Sequence, residues 1–331
     1  MGIIGLGYWG PNLVRNFTAT DGALVRYCCD LDSRRLQKLS SHYPSVRFTT
    51  SIDEIIQNPE LDAIAIATPV HTHYELAKRA LEAGKSVLVE KPLTMRVEHA
   101  EELVELAQQK GLVLQVDHVF LYSPAVKLIK EIVDSGRLGK LFFIDSVRIN
   151  LGLFQHDVNV VWDLAPHDLS IVDHLIGRLP KSLSAVGGVH ANQDIEDVAY
   201  LNLDFGDGLI ANFHVNWLSP VKVRSMIIGG GDQSLIYNDL DRSERIKVYN
   251  RGINTATDDL KRKILVSYRT GDIWSPNVGL EEPLGIMASD FVRCVREKKK
   301  PLADGGSGLR VVKILEAAQR SIKAQGGRVN L

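Results

Sequence analysis

Residues 5–10 read Gly-Leu-Gly-Tyr-Trp-Gly, and no other stretch restricts the fold of this chain as strongly. They follow an apolar run, Met1 to Ile4, and open a helical pattern; Asp30 closes the next apolar run twenty residues after Gly10. Strand, glycines, helix, strand and acid in that order form the layout of a dinucleotide cradle. Gly5 permits the tight turn, Gly7 lets backbone approach a pyrophosphate, Gly10 allows close helix packing, and the helix N-terminus favours phosphate charge. Tyr8 and Trp9 belong to the same loop. Asp30 is placed to accept hydrogen bonds from the adenosine ribose and to repel a 2′-phosphate, which favours NAD over NADP. Asp32 competes for that role. Arg34 and Arg35 argue against it if they bind phosphate, and are neutral if they are an exposed first helical turn.

The rest of the first third keeps the same rhythm, short apolar runs alternating with helical periodicity, as βα units of a parallel sheet do. The strand candidates are Met1 to Ile4, Ala23 to Cys29, Val46 to Thr49, Ala63 to Ala67, Ser86 to Val89 and Leu112 to Val116. Ser51-x-x-Glu54 and Thr72-x-x-Glu75 fit capping boxes, Gly84 and Gly111 fit C-terminal caps, and Ser123-Pro124 opens a helix that stops at Gly136. From Lys140 the period changes to two in Leu141 to Asn150, Ser182 to Val189, Val198 to Phe205, Gly208 to Trp217, Ser225 to Ile228 and Arg245 to Tyr249. Asp207-Gly208 looks like a hairpin turn. One helix interrupts this sheet near Leu164 to Ile176, and two follow it, Leu284 to Lys298 and Leu309 to Lys323. The expected architecture is a Rossmann-type parallel α/β domain, residues 1–120, followed by an α+β domain, residues 121–331, built on a mainly antiparallel sheet.

Composition narrows the partners. The 331 residues suit two domains, and 39 Lys+Arg against 40 Asp+Glu leave no net basic field to hold nucleic acid or an anionic membrane. Lys298 to Lys300 reads as a solvated helix end. Three cysteines, Cys28, Cys29 and Cys294, make no disulfide framework, no apolar run approaches the ~18 residues of a membrane span, and the start lacks a signal peptide, so a cytoplasmic protein is expected.

Several motifs carry chemistry. Thr68-Pro69 ends a strand at the carboxyl edge, where ligands of open parallel sheets lie, and is a cofactor-wall candidate. His71 and His73 flank Thr72 and read as helix-entry residues near the cofactor rather than metal ligands. Glu90-Lys91-Pro92 delivers an acid and a base to the same edge. Lys91 there could hold a substrate hydroxyl and stabilise a developing alkoxide, or form a plain surface pair with Glu90. Asp163 and His167, four apart, share a helical face if a helix starts at Asp163. They read equally as an oriented general base or as an N-cap and a packed histidine. His156 and His174 lie nearby, but without Cys or Glu at metal spacing no metal is expected.

With Gly5 to Gly10, Glu90-Lys91-Pro92 and Asp163-x-x-x-His167 together, the chain resembles the Gfo/Idh/MocA family of sugar and cyclitol oxidoreductases over essentially its whole length. The resemblance implies a substrate and cofactor role for Lys91, proton transfer by His167 with Asp163 as its acidic companion, and Glu90 near the nicotinamide ribose. It also implies Thr68, Pro69 and His73 in the cofactor wall, and a homodimer or homotetramer formed through the large sheet. Family members usually carry a few more residues before the first strand. Gly7-Tyr8-Trp9-Gly10-Pro11-Asn12 and Leu309-Arg310-Val311-Val312 resemble a branch that oxidises or reduces C3 of nucleotide-linked sugars. Tyr122, Arg148, Asn150 and Trp162 bracket the expected cleft as substrate contacts. An inositol or free-sugar dehydrogenase would use the same residues. A non-catalytic sugar sensor, also represented in the family, would not need Lys91, Asp163 and His167 together.

Overall fold

The computed structural model describes residues 1–152, 155, 157–191, 194–250, 252–254, 267–269 and 271–331. They cluster into two compact units, Met1–Ser123 with Glu281–Glu316 and Pro124–Leu280 with Ala317–Leu331.

In the first unit β1 (Gly2–Ile4), α1 (Gly10–Ala19), β2 (Tyr27–Cys29), α2 (Ser33–Ser40), β3 (Arg47–Thr49), α3 (Asp53–Ile56), β4 (Ala63–Ile66), α4 (His73–Glu82), β5 (Ser86–Val89), α5 (Val97–Lys110) and β6 (Leu114–Val116) alternate. The six strands are parallel in the order β3-β2-β1-β4-β5-β6, the doubly wound arrangement, with its crevice where the order reverses between β1 and β4. β1, β4, β5 and β6 are buried at every position, which is why, Ser86 and Gln115 apart, their sequences run apolar without alternation. Gly111 ends α5 in the left-handed region, φ 62°, as a C-terminal cap should. The two capping boxes do not form. α3 starts after Ile52 and α4 after Thr72, neither with a side-chain cap; the Thr72 hydroxyl donates to the Pro69 carbonyl instead, at 2.7 Å.

The second unit holds α6 (Pro124–Asp134), β7 (Leu141–Leu151), α7 (Val160–Ile176), β8 (Ser182–Gly188), β9 (Val198–Asp204), β10 (Ile210–Asn216), β11 (Leu218–Gly230), β12 (Ser234–Asn238), β13 (Ile246–Tyr249), β14 (Gly252–Asn254), β15 (Ser267–Arg269), β16 (Ile273–Trp274) and β17 (Val329–Asn330). Nine strands make one sheet, β16-β13-β12-β11-β7-β10-β9-β8-β17, and β14 pairs with β15. Its pairings are antiparallel except β7 with β10, two strands that no hairpin joins. The turn at Asp207-Gly208 lies between β9 and β10, where Gly206 and Gly208 take φ of 78° and 92° and Asp207 Oδ1 accepts the Leu209 amide. Along β10, Ala211, Phe213 and Val215 are buried while Ile210 stays exposed, the alternation of a sheet covered on one face.

α8 (Pro283–Glu297) and α9 (Gly305–Lys323) lie between β16 and β17 in sequence. Residues 281–316, placed by sequence in the second domain, cluster with the first unit. Phe291 of α8 meets Phe17 of α1 edge-on at 5.9 Å, and Asp290 accepts the Tyr122 hydroxyl at 2.9 Å. Amphipathic periodicity locates a helix but does not say which core its apolar face joins. All three cysteines are free and buried; burial first, and the neighbouring Cys29 second, push the Cys28 thiol up to about 12. Among the described residues no helix is long and apolar enough to cross a membrane.

α7 begins earlier than its periodicity suggests. Asn159 caps it, its side-chain oxygen accepting the amides of Val161 and Trp162, both at 3.1 Å, so Asp163 lies in the first turn and is not the cap. Pro166 therefore sits inside the helix, where it supplies no amide for the Trp162 carbonyl. The same helix is tied to β7 by a two-pronged ion pair. Arg148 Nε and Nη2 donate to Asp168 at 3.0 and 2.7 Å, with side chains 4% and 7% exposed. Removing one partner of a buried pair strands the other charge, so Arg148→Met should cost about 3–5 kcal/mol. Urea unfolding should show that loss and its recovery in Arg148→Met/Asp168→Leu; a loss within experimental error in the single variant would show that the pair does not hold α7.

Candidate active site

The glycine loop is shaped by what each glycine avoids. Gly5 has φ 94°, and a Cβ there would stand 2.5 Å from the Ala67 carbonyl; at Gly10 it would stand 2.1 Å from the Gly5 carbonyl oxygen. Both positions therefore exclude side chains. A Cβ at Gly7 would meet only the Arg35 guanidinium, at 3.6 Å, which leaves the backbone there approachable. α1 starts directly after, with Pro11 in its first turn and no side chain capping its amides. An uncapped helix N-terminus beside an approachable glycine fits a pyrophosphate. Tyr8, 86% exposed, flanks it. Asp30 follows β2, and its two oxygens accept the Leu6 amide at 2.7 Å and the Asp32 amide at 2.9 Å, with Arg35 Nη1 at 3.3 Å. It therefore holds the loop in place. Asp32, the competitor, caps α2 and is forked by Arg34 at 3.0 and 2.9 Å.

At the same carboxyl edge stand the ends of β4, β5 and β6. The hydroxyls of Thr68 and Thr72 are 2.6 Å apart. His73, expected in the cofactor wall, is buried, with Nδ1 2.9 Å from the Pro92 carbonyl and Nε2 2.8 Å from the Thr68 carbonyl. Burial pushes its pKa down while the two carbonyls pull it up. Both ring nitrogens are thus committed within the protein, and His73 joins the Thr68-Pro69 wall to the turn after Lys91 without presenting a nitrogen to a ligand. The Glu90 carboxylate oxygen Oε2 accepts the Lys91 amide at 2.8 Å. Burial, and after it the Asp117 charge, hold the Glu90 carboxyl well above the usual range.

Two residues here that the sequence reading passed over are Asp117 and His118, which directly follow β6. Asp117 accepts the Trp9 indole N–H at 2.7 Å. His118 is buried with neither ring nitrogen partnered, and burial, with Lys91 second, lowers it to about 3, so its imidazole is neutral.

In the second unit Asp163 and His167 are one turn apart on α7, and Asp163 Oδ2 accepts the indole N–H of Trp217 at 3.1 Å. Trp162, in the first turn, is buried, and Asn150 near the end of β7 is half-buried. Two residues expected to touch substrate are committed elsewhere. Arg148 forks Asp168, and the Tyr122 hydroxyl donates to Asp290 and accepts the Ala303 amide at 3.2 Å. His156 lies outside the described residues. Among the described residues no three His, Cys, Asp or Glu side chains gather as a metal site.

Comparison with known proteins supplies the context. Residues 1–118 match the family described as "Oxidoreductase family, NAD-binding Rossmann fold", and residues 126–236 match the "GFO/IDH/MocA C-terminal domain". A UDP-N-acetylglucosamine 3-dehydrogenase of Acidithiobacillus ferrooxidans is 26% identical over 314 residues, covering 94% of this chain and 93% of its own. Its solved structure superposes with a TM-score of 0.82 over 98% of this chain and 97% of that one, at 24% identity. The scyllo-inositol 2-dehydrogenase (NAD(+)) of Bacillus subtilis is 26% identical over 240 residues, 69% of this chain and 70% of its own. A levoglucosan dehydrogenase solved with NADH and levoglucosan has the same fold, TM-score 0.84 at 21% identity, covering 99% of this chain and 98% of that one.

The first unit is thus an NAD-binding Rossmann domain. Asp30 should make NAD bind more tightly than NADP, since a carboxylate and a 2′-phosphate repel at close range. Calorimetric titration of both cofactors is the check. Asp30→Ala should narrow the gap and weaken both, because it also removes the acceptor of the Leu6 amide; NADP binding as tightly to the unaltered protein would hand cofactor choice to Arg34 and Arg35.

Proposed function

Since the chain belongs to the Gfo/Idh/MocA family of NAD-binding oxidoreductases, we propose that it moves a hydride between C3 of a nucleotide-linked sugar and NAD. The observation that carries the chemistry is the carboxylate and imidazole of Asp163 and His167, one turn apart on a helix whose start is fixed by the Asn159 cap. A carboxylate beside an imidazole orients it and stabilises its charged form, which suits His167 to take the proton of a sugar hydroxyl. The Lys91 ammonium holds the oxygen of the same hydroxyl and stabilises the alkoxide as the proton leaves. NAD, when bound, supplies the hydride acceptor. Gly7, the uncapped start of α1 and Asp30 would hold its pyrophosphate and ribose, with Thr68, Pro69 and Glu90 toward the nicotinamide end.

The sugar nucleotide as substrate rests on likeness along nearly the whole of both chains to the UDP-N-acetylglucosamine 3-dehydrogenase. A free inositol is the second reading, favoured by the scyllo-inositol 2-dehydrogenase, though that match covers 69% of the chain. We place the protein in the cytoplasm as a homo-oligomer, a second copy covering the sheet face on which Val186, Tyr200 and Ile210 are exposed.

Incubation with NAD and UDP- or TDP-linked hexoses, with the product located by NMR, should give a 3-keto sugar still attached to its nucleotide. Turnover of inositols with every nucleotide sugar inert would transfer the proposal to the second reading. Lys91→Met should lower kcat about 10²- to 10³-fold while NAD still binds. His167→Ala should lower it about 10²- to 10⁴-fold, with part of the rate restored by added imidazole. Wild-type turnover in either variant would remove that residue from the reaction.

A further inference from the structure

β5 and β6 run parallel in the register Val87 to Leu114, Leu88 to Gln115 and Val89 to Val116, and the Asp117 amide continues the ladder to the Val89 carbonyl at 2.7 Å. The next residues, Glu90 and Asp117, therefore stand side by side, and there the ladder ends, the His118 amide turning back to the Val116 carbonyl at 2.7 Å. Asp117 is buried and Glu90 half-buried, and their carboxyls hydrogen-bond to each other. Asp117 Oδ2 takes the Trp9 indole N–H at 2.7 Å, while no N–H or O–H donor reaches the buried Oδ1. Two carboxylates cannot hydrogen-bond without a hydrogen, so the pair holds one proton. Trp9 lies within the glycine loop, immediately before α1.

We propose that Asp117 is a positioning residue of the NAD site: it shares a proton with Glu90 and pins Trp9, and with it the glycine loop, to the strand end that carries Lys91, so that NAD binding weakens when the proton is lost. The charged and titratable groups that bear on the pair are few. Lys91 favours its ionisation, His118 stays neutral and adds no charge, and His73 is engaged by the Pro92 and Thr68 carbonyls. Loss of the shared proton would leave two adjacent carboxylates, which repel and spread the contact to Trp9. The inference rests on the NAD-binding domain and on nothing about the sugar.

The sign of the effect on the unliganded protein is set by the raised carboxyls. The unfolded chain ionises both acids near the ordinary carboxyl range, whereas the folded chain keeps a proton, so stability falls as pH rises from that range toward the raised value. Urea unfolding of the apo protein between pH 5 and about pH 8 should show this slope, and Asp117→Asn should flatten it. NAD affinity, measured by calorimetry, should fall about threefold to tenfold on the alkaline side, the worth of one hydrogen bond. In Asp117→Asn, whose amide can donate to Glu90 without a titrating proton, that alkaline fall should vanish.

Trp9→Phe is the second variant. It should bind NAD more weakly at neutral pH and lose the alkaline fall in affinity, yet keep the slope of apo stability, because the carboxyl pair is intact. This decides the matter even if Asp117→Asn does not fold. Equal pH courses of NAD affinity in the wild type and in whichever variant folds would overturn the proposal. Failure of the wild type to bind NAD at neutral pH would instead count against the NAD site itself.

Discussion

The parallel register of the first sheet is the constraint on which the chemistry of that unit depends. Its hydrogen-bond ladder runs past the strand ends: the Gly5 amide reaches the Cys29 carbonyl at 2.8 Å, Ala67 reaches Ile4 at 2.8 Å, Glu90 reaches Ile66 at 2.9 Å and Asp117 reaches Val89 at 2.7 Å. Each bond places the first residue of a loop on one common edge. A slip of one residue in any strand would turn its side chains to the opposite face, and with them the acid or base the strand delivers. The register is held because β4 and β5 are buried at every position, so a slip has no polar face to offer solvent. Glycines then set how closely the loops approach, as Gly5 and Gly10 do where a Cβ would strike backbone.

Burying acids is costly, and the molecule offsets that cost in three ways. Asp30 is given backbone amides, those of Leu6 and Asp32. Asp168 is given a guanidinium, forked by Arg148. Glu90 and Asp117 are given each other and a proton. The first solution needs only a tight loop. The second needs two elements brought into register, and it fixes α7 against β7. The third leaves a group that titrates, and it lies beside the lysine to which the reaction is assigned.

How much of this was legible follows from how far apart the partners lie in sequence. The glycine loop, Asp30 and the Glu90-Lys91 edge were readable because a strand, a turn and a helix carry their signal within a few residues. The capping boxes at Ser51 and Thr72 fitted a local pattern that the folded backbone does not use, since the Thr72 hydroxyl has a nearer acceptor in Pro69. The start of α7 was missed because Asn159 caps it ahead of the apolar run. Arg148 and Tyr122 were read as facing a cleft because their partners, Asp168 and Asp290, are 20 and 168 residues away and nothing local announces them. Asp117 and His118 gained meaning only when β6 was seated beside β5.

That seating also explains why a proton, and no other counter-charge, serves the carboxyl pair. Lys91 offsets one negative charge at this edge and lowers both acids. A second carboxylate would need a second cation, and the titratable residue next after Asp117, near Lys91, is His118. Burial and the neighbouring Lys91 hold that imidazole neutral, down to about 3. The lysine that compensates the first acid thus prevents the histidine from compensating the second. With Asp117 buried, Glu90 half-buried beside it and water excluded from Asp117 Oδ1, the remaining way to avoid two adjacent charges is for one acid to stay protonated.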